Sequence, residues 1–149
     1  MVDKSAVGLE GPAFEMTVER GKVREFARAT MSERPEYLDD PAPPITPTFL
    51  TTSTFWQPPD AAGVFRKVGM DLKRLLHGEQ EYEFFGPPPR AGDVLTAHSR
   101  VESIFEKDGK RGGTMTFVVT ITDFTDPGGK LVARARSTAI ETGRAPDAS

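Results

Sequence analysis

Only two side chains in this sequence titrate near neutral pH, His77 and His98. An imidazole can accept and return a proton under those conditions, so both are candidates for acid–base chemistry. His77 opens the run HGEQEYEFF, with Gly78 beside it and Glu79 two positions on. Gly78 permits close approach of the backbone to a ligand. Two readings of His77 follow. It is either a proton shuttle, alone or with a carboxylate such as Glu79 or Glu33, or a strand-end residue whose ring hydrogen-bonds the backbone and fixes a sheet edge. His98, between Thr96 and Arg100 in an alternating segment, reads as a solvent-facing strand residue. Glu33 and Asp39 lie in a proline-rich stretch, where a carboxylate is ordinarily just solvated.

Other chemistries are excluded by composition. The chain has no cysteine, hence no disulfide, thiolate metal site or cysteine nucleophile. Two histidines are too few for a site with several histidine ligands, and no metal is expected. The Gly-x-Ser-x-Gly elbow, the P-loop and the dinucleotide fingerprint are all missing. A net charge of −3 with scattered lysines and arginines argues against nucleic acid. No apolar run approaches the roughly 20 residues of a membrane span. The segment MVDKSAVGLEGPAF lacks an apolar signal core, so a cytoplasmic protein is expected. With 149 residues, 37% hydrophobic and 28% charged, one globular domain over 1–149 is expected, its core spanning about 14–142 between loose ends at 1–12 and 143–149.

The elements that must position these residues read as follows. Phe14 to Glu19 is a short strand. Residues 21–30, GKVREFARAT, form a helix with Val23, Phe26, Ala27 and Thr30 on one face. Prolines at 35, 41, 43, 44 and 47 keep 31–47 irregular. Segments 76–85, 93–106, 114–125 and 130–142 are strands, separated by GPPPRAG, KDGKRGG and DPGG, all of which have turn chemistry. In the GPPPRAG connection Asp93 orders the turn. Within 114–122, Met115, Phe117, Val119 and Ile121 form an oily face, and Thr114, Thr116, Val118, Thr120 and Thr122 a mostly polar one. One strand, helical material and four further strands give α+β. The Thr-rich TFLTTSTFW, 48–56, suits either a strand or a helix, and 60–75 has room for a further short helix.

Five pieces of the chain together are similar to one family: GKVREFARAT, Pro47-Thr48-Phe49, the HGEQ strand, the Ala91-Gly92-Asp93 turn and the closing β-meander. From about Phe14 to Thr142 the sequence resembles the MaoC-like dehydratases, in particular their N-terminal-type (FAS1-like) domain. It is also similar to the non-catalytic subunit of the heterodimeric (3R)-hydroxyacyl-ACP dehydratases. The resemblance implies a hotdog fold, a curved antiparallel sheet around a central helix, and makes 48–56 that buried helix. It implies an acyl-CoA or acyl-ACP substrate, a second hotdog subunit in a homodimer or heterodimer, and no cofactor. Catalytic members carry Gly-Asp-x-Asn-Pro-x-His after the first helix. Laid on Met31–Tyr37, only Pro35 matches. Ser32 stands at the Asp position and Tyr37 at the His position, and neither is a ready acid–base group at pH 7. The expected activity is therefore that of a hydro-lyase subunit without its own dyad. In that setting Phe55 and Trp56 are candidates to line an acyl channel, with core packing the alternative. Arg90 is a candidate contact for a coenzyme A or phosphopantetheine phosphate, with a plain surface position the alternative.

Overall fold

The computed structural model describes residues 2–58, 63–109 and 113–143. Its strands are β1 (Phe14–Thr17), β2 (Leu75–Phe84), β3 (Val94–Asp108), β4 (Thr114–Thr125) and β5 (Leu131–Glu141). All pairings are antiparallel, and the spatial order is β1-β3-β4-β5-β2. The four expected strands thus form, within a residue or two of their bounds. β2, however, does not pair with its sequence neighbour β3. The Gly86–Asp93 connection carries the chain across the sheet, and β2 lies against β5 at the far edge. Pro87 to Pro89 explain why: they cannot make the tight two-residue turn of a hairpin, and they hold the crossing extended.

Helix α1 (Arg20–Ala29) buries Val23 and Ala27, and Phe26 packs edge-on against Phe49 at 5.7 Å between centroids. Its C-terminus closes in a Schellman arrangement. Ser32 N–H donates to Ala27 O at 2.8 Å and Met31 N–H to Arg28 O at 3.0 Å. Met31 takes the left-handed conformation usually left to glycine, with φ 56°. The irregular 31–47 stretch contains one helical turn, α2 (Pro35–Leu38), begun by Pro35, whose missing N–H costs nothing there.

The expected buried helix at 48–56 is corrected in kind and in burial. Phe49–Trp56 is a 3₁₀ helix with Phe49, Leu50 and Thr52 buried, while Phe55 is 74% exposed. Four consecutive Ser/Thr residues, 51–54, are weak helix formers. Thr52 Oγ1 bonds back to Phe49 O at 2.8 Å, tightening the turn. In 60–75 the described residues hold one turn, α3 (Val64–Lys67), and a 3₁₀ turn at Leu72–Arg74; positions 60–62 lie outside the described residues, as do 144–149 of the expected loose tail. The N-terminal arm is better ordered than its sequence implies. Gly8 and Gly11 N–H donate to Val101 O and Ser99 O, Val101 N–H donates to Leu9 O, and Val2 is buried. The arm thereby continues β1 along the outer side of β3. That leaves β2 as the long uncovered edge.

Paired residues share a face, so the register shows which side is which. The row Ala97–Phe124–Ala133–Phe84 runs across the concave side, in the cluster with Phe14, Met16, Phe49 and Leu50. Three rows further along, Val118 and Ala139 join Val2, Val64, Val68, Met70 and Val101 in a second cluster. The inward face of β4 is therefore Val118, Thr120, Thr122 and Phe124: the face that reads as polar points in. The oily face points out, where Phe117 stacks on Phe105 at 4.9 Å. Ile121 stands between Arg100 and Arg136 and is only 2% exposed, a cover consistent with long charged side chains lying over apolar surface.

β2 and β5 are pinned at one end by a buried ion pair. Arg74 Nη2 donates to Glu141 Oε1 at 2.7 Å, and Asp71 N–H donates to Glu141 Oε2 at 2.7 Å. Arg74 also reaches Asp71 Oδ2 and Thr142 O.

Candidate functional site

Between the two apolar clusters the concave face carries two polar rows. One runs Ser99 (β3), Thr122 (β4), Ala135 (β5), Tyr82 (β2); the other runs Val101, Thr120, Ser137, Gln80. All of these but Val101 line a cavity of about 240 Å³, roofed by Leu50, Thr51 and Thr54 of the 3₁₀ segment and bounded by Phe14 and Val64. Ser99 Oγ and Thr122 Oγ1 share a hydrogen bond of 2.7 Å. Gln80 Nε2 donates to Arg136 O at 3.3 Å, which leaves its carbonyl oxygen for the cavity. Burial raises the pKa of Tyr82, and interaction with the Thr51 hydroxyl offsets this in part, so the phenol stays protonated at neutral pH. Among the described residues that line the cavity there is no carboxylate, imidazole, lysine or arginine. Such a wall can orient a neutral ligand by hydrogen bonds, but it supplies no general base.

None of the residues singled out in the sequence lines this cavity. Ser32 closes the C-terminus of α1, and Tyr37 sits half-buried in α2. Phe55 projects outward beneath Lys22, whose Nζ lies 5.3 Å from the ring centroid. Trp56 packs partly buried against the larger core cluster. Arg90 Nη2 donates to Asp40 Oδ2 at 2.7 Å, so its charge is already engaged. Asp93 orders the turn as its sequence position implies, accepting from Arg90 N–H at 2.8 Å.

His77 is exposed, opposite Ala139, at a β-bulge where Gly78 is the extra residue. A Cβ on Gly78 would stand 2.9 Å from Ile140 Cδ1 and 3.0 Å from Thr138 O, so a larger residue would crowd both. No side-chain hydrogen bond to His77 is present among the described residues, so the bond expected to anchor its ring is not there. His98 lies 3.6 Å from Glu10 Oε2 and is partly exposed. Its neighbour across the ladder, Asp123, accepts from Arg134 Nε at 2.6 Å and Arg100 Nη1 at 2.8 Å. Partial burial alone would raise the Asp123 pKa, but these two hydrogen bonds outweigh it and hold the carboxyl below its ordinary value.

The described residues contain no group of His, Asp and Glu able to hold a metal ion. No helix among them is long and apolar enough to cross a membrane. The residues missed from sequence, Gln80, Tyr82, Ser99, Thr120, Thr122 and Ser137, had one visible signal. Hydroxyl side chains recur at alternate positions in adjacent strands.

Residues 5–135 match the FAS1-like, dehydratase domain region. A UPF0336 protein of Streptomyces coelicolor is 36% identical over 115 positions, covering 69% of this chain and 73% of that protein. Another, from Saccharopolyspora erythraea, is 31% identical over 156 aligned positions, covering 98% and 95%. Among solved structures, a chain of the HadBC (3R-hydroxyacyl-ACP dehydratase) complex of Mycobacterium tuberculosis superposes with a TM-score of 0.68 at 26% identity, over 91% of this chain and 98% of that one. A MaoC-like dehydratase superposes with a TM-score of 0.77 at 24% identity, over 93% of this chain and 42% of that one. The curved five-stranded antiparallel sheet is the hotdog fold these structures share. The chain belongs to the FAS1-like, dehydratase domain region family.

Proposed function

We propose that this chain is one subunit of a hydro-lyase acting on acyl thioesters. It takes part in the reversible dehydration of a (3R)-3-hydroxyacyl group, carried on CoA or on an acyl carrier protein, and a second hotdog chain supplies the acid–base pair. The observation that carries this is the chemistry of the cavity wall: neutral hydroxyls and amides, with no carboxylate or imidazole among the described lining residues. Dehydration removes a proton from C2 and protonates the departing 3-hydroxyl, so it needs a base and an acid of matched pKa. Serine, threonine and a neutral tyrosine cannot take a proton from carbon at pH 7. Ser32 and Tyr37 stand where the family motif has its Asp and His, which agrees with a chain that binds while its partner reacts. The uncovered edge of β2 offers the place for that partner, since an unpaired row of N–H and C=O groups is a template for another strand.

The test is a crotonyl-CoA hydration assay, followed by absorbance, on the purified chain and on the chain co-expressed with a MaoC-like protein bearing an intact Gly-Asp-x-Asn-Pro-x-His motif. The lone chain should be inactive and the pair active. Robust turnover by the lone chain would refute this division of labour. It would point instead to a homodimeric hydratase or thioesterase working through His77, which the exposed position of that ring at the β2 edge allows. Acyl-CoA binding with no turnover in any combination would mark a non-catalytic binding homodimer.

A further inference from the structure

The same cavity carries information about the acyl group itself. A site for a long saturated chain is an apolar tube, because each buried methylene gains about 0.8 kcal/mol on leaving water and each unpartnered polar atom in the wall loses some of it. Here the wall is apolar mainly at its ends, around Phe14, Leu50 and Phe124 on one side and Val64 on the other, with Ala135 between. Across the middle stand Gln80, Tyr82, Ser99, Thr120, Thr122 and Ser137, from four adjacent strands.

The hydrogen-bonding capacity of this band exceeds what the protein uses. Ser99 and Thr122 bond each other, and a pair of hydroxyls so joined still has one O–H to donate and free lone pairs to accept. The Gln80 amide uses its nitrogen on Arg136 O and leaves its oxygen. Thr120 Oγ1 reaches Ser137 O only at 3.5 Å, the limit of a useful bond. Full charges are missing among the described residues of the wall, so the complement is a neutral group with both donor and acceptor character.

We propose that the acyl group taken into this cavity bears, besides the 3-hydroxyl that leaves, a further neutral oxygen, a hydroxyl or keto group, part-way along the chain. The inference rests on the acyl-thioester reading above and adds the substrate class. Thr122, Ser99 and Ser137 are its specificity-determining residues. The competing account is that the band merely holds ordered water, which a hydrocarbon chain displaces.

Calorimetric titration of the full chain with 5-hydroxyhexanoyl-CoA, hexanoyl-CoA and dodecanoyl-CoA separates these accounts. The hydroxylated hexanoyl ester should bind at least tenfold more tightly than hexanoyl-CoA, and dodecanoyl-CoA no more tightly than hexanoyl-CoA. The Thr122→Val, Ser137→Ala double variant should lose the tenfold preference, the two six-carbon esters then binding alike. Tightest binding of dodecanoyl-CoA, or equal binding of the two six-carbon esters, overturns the proposal and leaves the acyl-thioester reading standing. Failure of all three esters to bind overturns that reading as well. The comparison among wild-type affinities decides the matter even if the double variant does not fold.

Discussion

Replacing Glu141 with alanine should be among the most damaging single changes in the chain, and its cost can be worked from the geometry. The carboxylate is 5% exposed and accepts two bonds of 2.7 Å, from Arg74 Nη2 and from Asp71 N–H. Hydrogen bonds to a charged group contribute roughly 1.5–3 kcal/mol each. Removing one partner of a fully buried pair costs about 3–5 kcal/mol. Arg74 is 24% exposed at its side chain and keeps Asp71 Oδ2 and Thr142 O, so part of its charge stays satisfied and the lower end applies. The expected loss is about 2–4 kcal/mol. At roughly 2–4 °C per kcal/mol for a chain of this size, Tm should fall by about 4–16 °C. Glu141→Gln leaves one acceptor oxygen for two donors, so its NH2 must face either Asp71 N–H or Arg74 Nη2, and about 1–2 kcal/mol is expected. Urea unfolding followed by circular dichroism measures both. The m-value should stay constant, because the change acts on the native state. A loss below about 0.5 kcal/mol for Glu141→Ala, the scale of an ordinary surface change, would refute the view that this pair pins β2 to β5.

Four further outcomes are expected. Met31→Gly should stabilise the chain by about 0.5–1 kcal/mol in urea titrations, since Met31 is 89% exposed at φ 56° and glycine removes most of the left-handed penalty. Asp123, whose folded pKa is depressed, adds stability that is present above its unfolded pKa near 3.9 and lost as pH falls through the lower folded value; the stability gap between the chain and Asp123→Asn should be flat above about pH 5 and close below about pH 4. His77→Ala should change stability by less than about 0.5 kcal/mol by thermal melting, because the exposed ring makes no side-chain hydrogen bond among the described residues. Glu79, Glu81 and Glu83 share the outer face of β2 with no ion pair among the described residues, their β5 neighbours Arg136 and Arg134 being engaged by Glu102 and Asp123. A two-fold pairing of β2 edges centred on residue 80, 81 or 82 sets glutamate opposite glutamate at least twice, so changing all three to Gln should tighten self-association in sedimentation equilibrium at low salt, and unchanged self-association would count against that edge as the contact.

The strands were legible because period-two alternation and turn chemistry act locally and agree with each other. GPPPRAG, DPGG and the runs between them needed no tertiary context. The inward face of β4 was not legible. Val119 and Ile121 look like core, and on a sheet with one wet side they would be. Here the outer face buries them among neighbouring side chains, Arg100 and Arg136 beside Ile121, so apolar character no longer marks the inside. The site was hidden for the same reason. Ser99, Thr120, Thr122 and Ser137 come from three strands, and only the register brings them together. The 3₁₀ geometry of Phe49–Trp56 was foreshadowed by its threonines, but its half-exposed state depends on what it packs against. Ser32 and Tyr37 could be aligned to a motif from sequence, yet their distance from the cavity wall is a property of the α1 terminus and of α2.

The polar band also determines how the molecule comes apart. It lies between the cluster around Phe49 and Phe124 and the cluster around Val68 and Val118, so the apolar interior is not one continuous mass. Cooperative opening follows contiguous packing. Among the described residues the half closed by α3 and the N-terminal arm has fewer buried side chains to lose, and its amides should exchange with solvent before those around Phe49. A ligand that fills the cavity touches both halves at once. It would couple their opening, so that protection rises farther from the binding contacts than the contacts themselves reach.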